Sequence, residues 1–236
     1  MDAFEFKPIG ILNSIFKTRF GTPRQPFQVQ GASAQLKIRR DLQPELSLQG
    51  LESFSHVWLI FVFHTNTNKI FRPKIHPPRL DGKTIGAFAT RTPHRPNPIG
   101  LSLARLEKIE NDTLYLSGVD LIDGTPILDI KPYLKYVESH PDAKQGWIES
   151  HPQKKLSVEF YPQFKSDINT FDNTLSESEY DELRALITEV LEKDPRPLVY
   201  KESPHKDEHA IYLGNWNIFF KCTDDAVFVT KIEQTI

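Results

Sequence analysis

The chain has 236 residues, of which 39% are apolar and 25% charged, with a formal net charge of −2. That composition supports a core spread over one or two domains and excludes a uniformly basic nucleic-acid binder. Cys222 is the only cysteine, which excludes an internal disulfide, argues against a thiolate metal cluster and points to a reducing, cytoplasmic setting.

From the start of the chain, "MDAFEFKPIG" carries an acid where a signal peptide would carry a basic run, and no later window approaches the roughly 18 apolar residues of a membrane span. The next unusual stretch is "GTPRQPF", Gly21 to Phe27. Pro23 and Pro26 restrict the backbone on either side of Arg24 and Gln25, so a guanidinium fork and an amide are held still. This is either an ordinary surface turn or a loop that recognises a carboxylate or a base edge. "AQLKIRR" alternates, with Leu36 and Ile38 on one face, and "HVWLIFVF", His56 to Phe63, reads as a buried strand. His56 and His64 share a face by their even spacing, but no third ligand accompanies them and no metal site is expected.

The run from Lys69 to Arg95 holds Lys69, Arg72, Lys74, Arg79, Lys83, Arg91 and Arg95 against Asp81 alone, a candidate anion-facing surface. "TIGAFAT" within it reads as a further strand containing Ile85 and Phe88. The run ends in "TRTPHRPNPIGLS", Thr90 to Ser102, where Pro93, Pro96 and Pro98 stiffen a loop bearing Arg91, His94, Arg95 and Asn97. Each proline removes an N–H, so this backbone forms no regular ladder and its carbonyls are expected to face a ligand, with Gly100 allowing close approach or a positive φ. The alternative is a rigid connector between strands.

"LSLARLEKIE" and "TLYLSGVDLI" flank Asn111-Asp112, a hairpin signal. "DLIDGTPILDIKPY" crowds Asp120, Asp123 and Asp129 around the Asp123-Gly124 turn, with Lys131 and Tyr133 beyond; Asp123 is read either as a binder of ribose hydroxyls or as an Asx-turn closing a hairpin. Residues 162–174 are polar and aperiodic and read as a linker. Ser176 and Glu179 then form a capping box, and Tyr180, Leu183, Ile187, Val190 and Leu191 line one face of a helix that stops before Pro195. Eight acids against Arg184 and Lys193 make the stretch from Phe171 to Asp194 a solvated acidic face. "AIYLGNWNIFFKC" and "AVFVTKI", punctuated by Gly214-Asn215 and Asp224-Asp225, read as a small antiparallel meander.

Many short strands with few helices favour a barrel or sandwich at residues 1–150, followed by a small α+β domain at 165–236. The chain lacks a Gly-x-Gly-x-x-Gly fingerprint and a Walker A loop. "PRQP", "FVFH", "ATRTPHRPNPIGLS" and "DGTPILDIKPY", in this order, resemble the TsaA-like (YaeB-type) family and within it the TrmO tRNA methyltransferases; "DPRP", Asp194 to Pro197, resembles that family's C-terminal domain. The resemblance implies a mainly β protein, with a non-Rossmann antiparallel barrel that binds S-adenosyl-L-methionine and a small C-terminal domain. It implies methylation of N6 of threonylcarbamoyladenosine at position 37 of tRNA, and a homodimer that holds the methyl donor near its interface.

The family's donor-binding positions fall here on Pro23, Arg24, Gln25, His64, Thr65, Arg91, Leu101, Asp123, Gly124, Thr125 and Pro126, with Thr65 contributing through its backbone. Arg24 or Arg91 would pair with the donor's carboxylate, and Asn97, Lys131 and Tyr133 are the candidates for orienting the acceptor and handling its proton. For tRNA, the candidates are Arg72, Lys74, Arg79 and Arg95, with Phe71 and His76 available for stacking, and Arg196 in the second domain. Two other readings share these loops: a barrel methyltransferase with a different acceptor, and a non-catalytic module that holds a nucleotide-like metabolite.

Overall fold

The computed structural model describes residues 3–67, 70–80, 82–171, 175–196 and 208–235. Lys69 and Asp81 of the basic run, residues 172–174 of the expected linker and Pro197 of "DPRP" lie outside the described residues. The chain divides into two compact units that do not follow chain order. The first is Met1–Asn13, Ala34–Val119 and Gly124–Pro152; the second is Ser14–Ser33, Asp120–Asp123 and Gln153–Ile236.

The first unit is built on β1 (Gly10–Ser14), β2 (Ser33–Ile38), β3 (His56–Val62), β4 (Lys74–Ile75), β5 (Ile85–Gly86), β6 (Ile99–Glu110), β7 (Thr113–Ser117) and β8 (Thr125–Pro132), with two single-turn helices, α1 (Pro44–Ser47) and α2 (Lys135–Glu138). Six of the strands close an antiparallel barrel in the order β1-β2-β7-β6-β3-β8, while β4 and β5 form a separate two-stranded ribbon. Alternation decides which side chains fill the barrel. Leu12, Leu36, Val57, Leu59, Ala104, Leu114 and Ile127 are wholly buried. Each large side chain among them contributes about 1.5–3 kcal/mol by leaving water. The β6–β7 hairpin turns at Asn111, which adopts φ 55°, as its sequence predicts. "TIGAFAT" departs from the expected strand: only Ile85–Gly86 pairs, and Ala87–Ala89 is a 3-10 turn that leaves Phe88 exposed. Its alanines and glycine bring too little β-branched surface to sustain a longer ladder.

The second unit carries β9 (Ser157–Phe160), α3 (Phe164–Phe171), α4 (Glu177–Leu191), β10 (His209–Leu213), β11 (Trp216–Cys222) and β12 (Ala226–Gln234). The meander β10-β11-β12 is as predicted, and β9 extends it in parallel beside β12. The Ser176–Glu179 capping box opens α4, whose Leu183, Ile187, Val190 and Leu191 are buried. The expected linker is instead largely helical. Phe164 and Ile168, one turn apart, are buried in α3, and Tyr161 Oη donates to Asp167 at 2.8 Å. The segment 14–33 belongs to this unit through Phe16, bridged to Leu213, the Ile15 carbonyl, which accepts from Gly214 N–H at 2.8 Å, and the Phe20 ring, which lies 6.1 Å from those of His209 and Phe220.

Candidate functional site

Register brings three of the family-like motifs of the first unit to one end of the barrel. The last residue of β3, Val62, pairs with Ile99 at the start of β6, and Phe61 pairs with Ile127 near the start of β8. His64-Thr65, the proline-rich loop and Gly124-Thr125-Pro126 therefore leave the same rim. Two contacts confirm it. Phe63 N–H donates to the Pro98 carbonyl at 2.8 Å, and a side chain built on Gly124, which has φ 76°, would begin 3.9 Å from His64 Nε2.

The proline-rich loop is pinned by its own polar groups. Arg95 donates to the Thr90 carbonyl at 3.0 Å, Asn66 Nδ2 donates to the Pro93 carbonyl at 3.0 Å, and the Asn97 carbonyl accepts from Ile99 N–H at 2.7 Å. The carbonyls of Thr90, Pro93, Asn97 and Pro98 are thus engaged in bracing the loop, so it presents side chains more than carbonyls. Gly100 has an ordinary φ, and its role is packing: a Cβ there would stand 2.2 Å from Phe61 Cζ. The Phe61 ring packs over Gly100 in the barrel wall, while Leu101 is 56% exposed and Arg91 and Asn97 are exposed.

Thr125 is 3% exposed and faces the barrel interior, whereas Pro126 is half-buried opposite Ile11. Lys131 and Tyr133 stand away from the rim. Lys131 pairs with Trp58, four residues along β3 from Val62, or about 13 Å at strand rise. Its ammonium is in an ion pair with Asp129 at 3.0 Å, which makes it a donor. The Tyr133 ring lies 6.2 and 6.1 Å from those of His56 and Trp58. One chain therefore does not bring Asn97 and Lys131 together.

The basic run lies on and around the β4–β5 ribbon. Arg72, Lys74 and Lys83 are exposed, and Arg79 and Arg95 are half-buried. His76 Nδ1 is within 3.0 Å of the Gly82 carbonyl. Phe71 stacks on Phe88, with ring centroids 6.0 Å apart at 27°.

The remaining candidates belong to the second unit. Asp123 does not close a hairpin, because β7 and β8 are not neighbours in the barrel. Its Oδ1 accepts from Ser14 N–H at 2.8 Å and its Oδ2 pairs with Lys17 at 3.0 Å, so its carboxylate braces the chain locally. Pro23, Arg24 and Gln25 lie in the 14–33 segment, where Arg24 N–H donates to Gln28 Oε1 at 3.2 Å. Arg196 forks onto Asp194 with contacts of 2.9 and 3.1 Å and is 13% exposed. The hydrogen bonds to Asp194 raise the Arg196 pKa above the usual arginine value, against the opposing effect of burial. Among the described residues no group of three or more His, Cys, Asp or Glu is placed to hold a metal ion, and no helix is long and apolar enough to cross a membrane.

A closed antiparallel barrel with motif-bearing loops gathered at one rim defines a β-barrel protein outside the doubly wound nucleotide-binding class. The profile of the tRNA-methyltransferase O N-terminal domain matches residues 11–139 and that of the TrmO C-terminal domain matches 153–235. A tRNA (adenine(37)-N6)-methyltransferase of Escherichia coli is 38% identical over 99% of both chains. A Pseudomonas aeruginosa protein provisionally named S-adenosylmethionine-dependent methyltransferase RcsF is 41% identical over 84% of both. A crystal structure of TrmO from P. aeruginosa superposes with a TM-score of 0.78 at 33% identity, covering 99% of this chain and 98% of that one. The chain belongs to the TrmO family of tRNA methyltransferases.

Proposed function

We propose that this protein is an S-adenosylmethionine-dependent tRNA methyltransferase that acts on N6 of adenine 37, with the threonylcarbamoyl-modified base as acceptor. The gathering of His64-Thr65, the proline-rich loop and the Gly124 turn at one barrel rim carries this reading. The names of the relatives that match along the whole chain support it.

The chemistry present at the rim fits the methyl donor. Arg91 supplies a planar cation for a carboxylate, and exposed Leu101 and Ile99 supply apolar surface for a nucleoside. When bound, S-adenosylmethionine supplies an electrophilic methyl group. At the rim Arg91 would pair with its carboxylate, with His64 and Thr65 completing the contacts; Pro23, Arg24 and Gln25, of the second unit, are proposed as donor-binding on their likeness to the family's motif. Gly124 keeps the rim open, while Thr125 and Pro126 act through backbone and ring. Asp123 holds the turn in register and accepts from ribose hydroxyls with whatever capacity Ser14 and Lys17 leave. Asn97 orients the acceptor's carbamoyl group by its amide; Lys131, which one chain holds apart from Asn97, is proposed to stabilise negative charge as an ammonium in a site completed by the dimer, and Tyr133 positions its strand. Positioning supplies much of the rate.

Arg72, Lys74, Arg79 and Arg95 face the tRNA backbone, and Arg196, forked onto Asp194, is the candidate of the second unit for tRNA. Residues 1–150 carry the donor-binding loops and 165–236 most of the second unit, to which 14–33 and 120–123 also belong. The protein works as a cytoplasmic homodimer.

Nucleoside mass spectrometry of tRNA from cells lacking the protein tests the reaction. Loss of methylated threonylcarbamoyladenosine supports it, and an unchanged profile overturns it. Single-turnover rates with bound tRNA test the roles: Asn97→Ala and Lys131→Ala are each expected to slow transfer by about 10- to 100-fold. Wild-type rates in both variants overturn the assignment.

A further inference from the structure

We propose that Phe88, stacked with Phe71 and with the Arg95 guanidinium over its ring, forms with them a composite platform on which an unpaired base of the RNA substrate stacks; this rests on the tRNA reading above. Phe88 is 71% exposed, yet the backbone on both sides of it is pinned. Ala87 is buried and its N–H donates to the Pro73 carbonyl at 2.9 Å. Thr90 N–H closes back on the Ala87 carbonyl at 3.2 Å, and Trp147 Nε1 donates to the Ala89 carbonyl at 3.0 Å. These bonds hold an apolar ring outward on a rigid turn.

The surroundings indicate what covers it. Phe71, 38% exposed, backs the ring. The Arg95 guanidinium lies 5.6 Å from the Phe88 centroid, braced by its bond to Thr90. Aromatic faces and guanidinium planes are the two surfaces on which proteins stack splayed-out bases. Arg72, Lys74 and Lys83 are exposed on the same stretch, whose one acid in the sequence is Asp81. Seven cations against Asp81 alone, in the stretch that carries this exposed aromatic pair, suit a base joined to phosphates. The sequence marks Phe71, His76 and the basic residues as RNA candidates, whereas Phe88 reads there as part of a strand.

The test compares wild-type protein with Phe88→Ala, Phe88→Leu and Phe88→Trp in equilibrium binding to purified cellular tRNA across a salt series, with thermal unfolding as the check on folding. Phe88→Ala and Phe88→Leu are expected to weaken binding by roughly 5- to 100-fold, the range for loss of one base–aromatic stack. The slope of log affinity against log salt should stay unchanged, since no phosphate contact is removed. Phe88→Trp is expected to keep wild-type affinity. If Phe88→Ala binds as wild type does, or if Phe88→Trp loses as much as Phe88→Ala, the platform is overturned while the methyltransferase reading stands. A wild-type protein that neither binds nor methylates tRNA overturns both.

Discussion

Gly100 shows how a single missing Cβ shapes the candidate site. The Phe61 ring occupies the space where a side chain would begin, and the register Phe61↔Gly100 places Ile99 and Leu101 on the outer face. Gly100→Ala forces the ring aside in a packed wall and is expected to cost about 1–3 kcal/mol. Thermal unfolding measures that loss, and adding Phe61→Leu should recover part of it. If Gly100→Ala unfolds at the wild-type temperature, the wall is not packed as described. A glycine after "RPNPI" reads at first as a device for positive φ or ligand approach; the structural reason lies 39 positions earlier in the chain, where no local pattern reaches.

At the scale of elements, local signals were legible and long-range ones were not. The Asn111 hairpin and the Ser176–Glu179 capping box are complete within a few residues, and both formed as predicted. The α3 helix was missed because its buried pair, Phe164 and Ile168, is embedded in polar residues that read as a linker. The rim was legible only as motifs, since the register that joins β3, β6 and β8 is a property of the closed barrel.

The end of α4 yields an element-scale prediction. Glu192, 18% exposed, accepts from Lys193 at 2.7 Å and from Lys155 at 3.0 Å, while its carbonyl accepts from Leu156 N–H at 2.7 Å. Burial acts to raise its pKa, and the hydrogen bonds from the two lysines more than offset that, leaving it below the ordinary glutamate value of 4.5. A depressed carboxylate stabilises the fold above its unfolded value and loses that contribution as pH falls through its folded one. Glu192→Gln is therefore expected to lose about 1 kcal/mol at neutral pH, with the difference from wild type shrinking as pH falls below 4.5 and vanishing below the depressed folded value. Denaturant titration at several pH values reads this, and a pH-independent difference contradicts it.

The whole molecule is nearly neutral, so its affinity for a polyanion must come from charge placement. The basic stretch faces solvent on the β4–β5 ribbon, while acids concentrate on α4. Binding of tRNA should fall steeply with salt, and Arg72→Ala with Lys74→Ala together should lower the slope of log affinity against log salt by about 2. A slope unchanged in the double variant places the RNA elsewhere. The net charge of −2 concealed this surface, whereas the run of seven cations around Asp81 disclosed it.

The interleaving of the two units also has a consequence in time. Ser14–Ser33 belongs with strands made last, so Phe16 and Phe20 leave the ribosome long before Leu213 and Phe220 exist to receive them. At ordinary translation speed the wait is roughly 10–40 s. Throughout it the nascent chain carries bare aromatic surface beside its first strand, a natural binding site for a holdase chaperone. For the same reason, a cut after Pro152 does not release two self-sufficient halves.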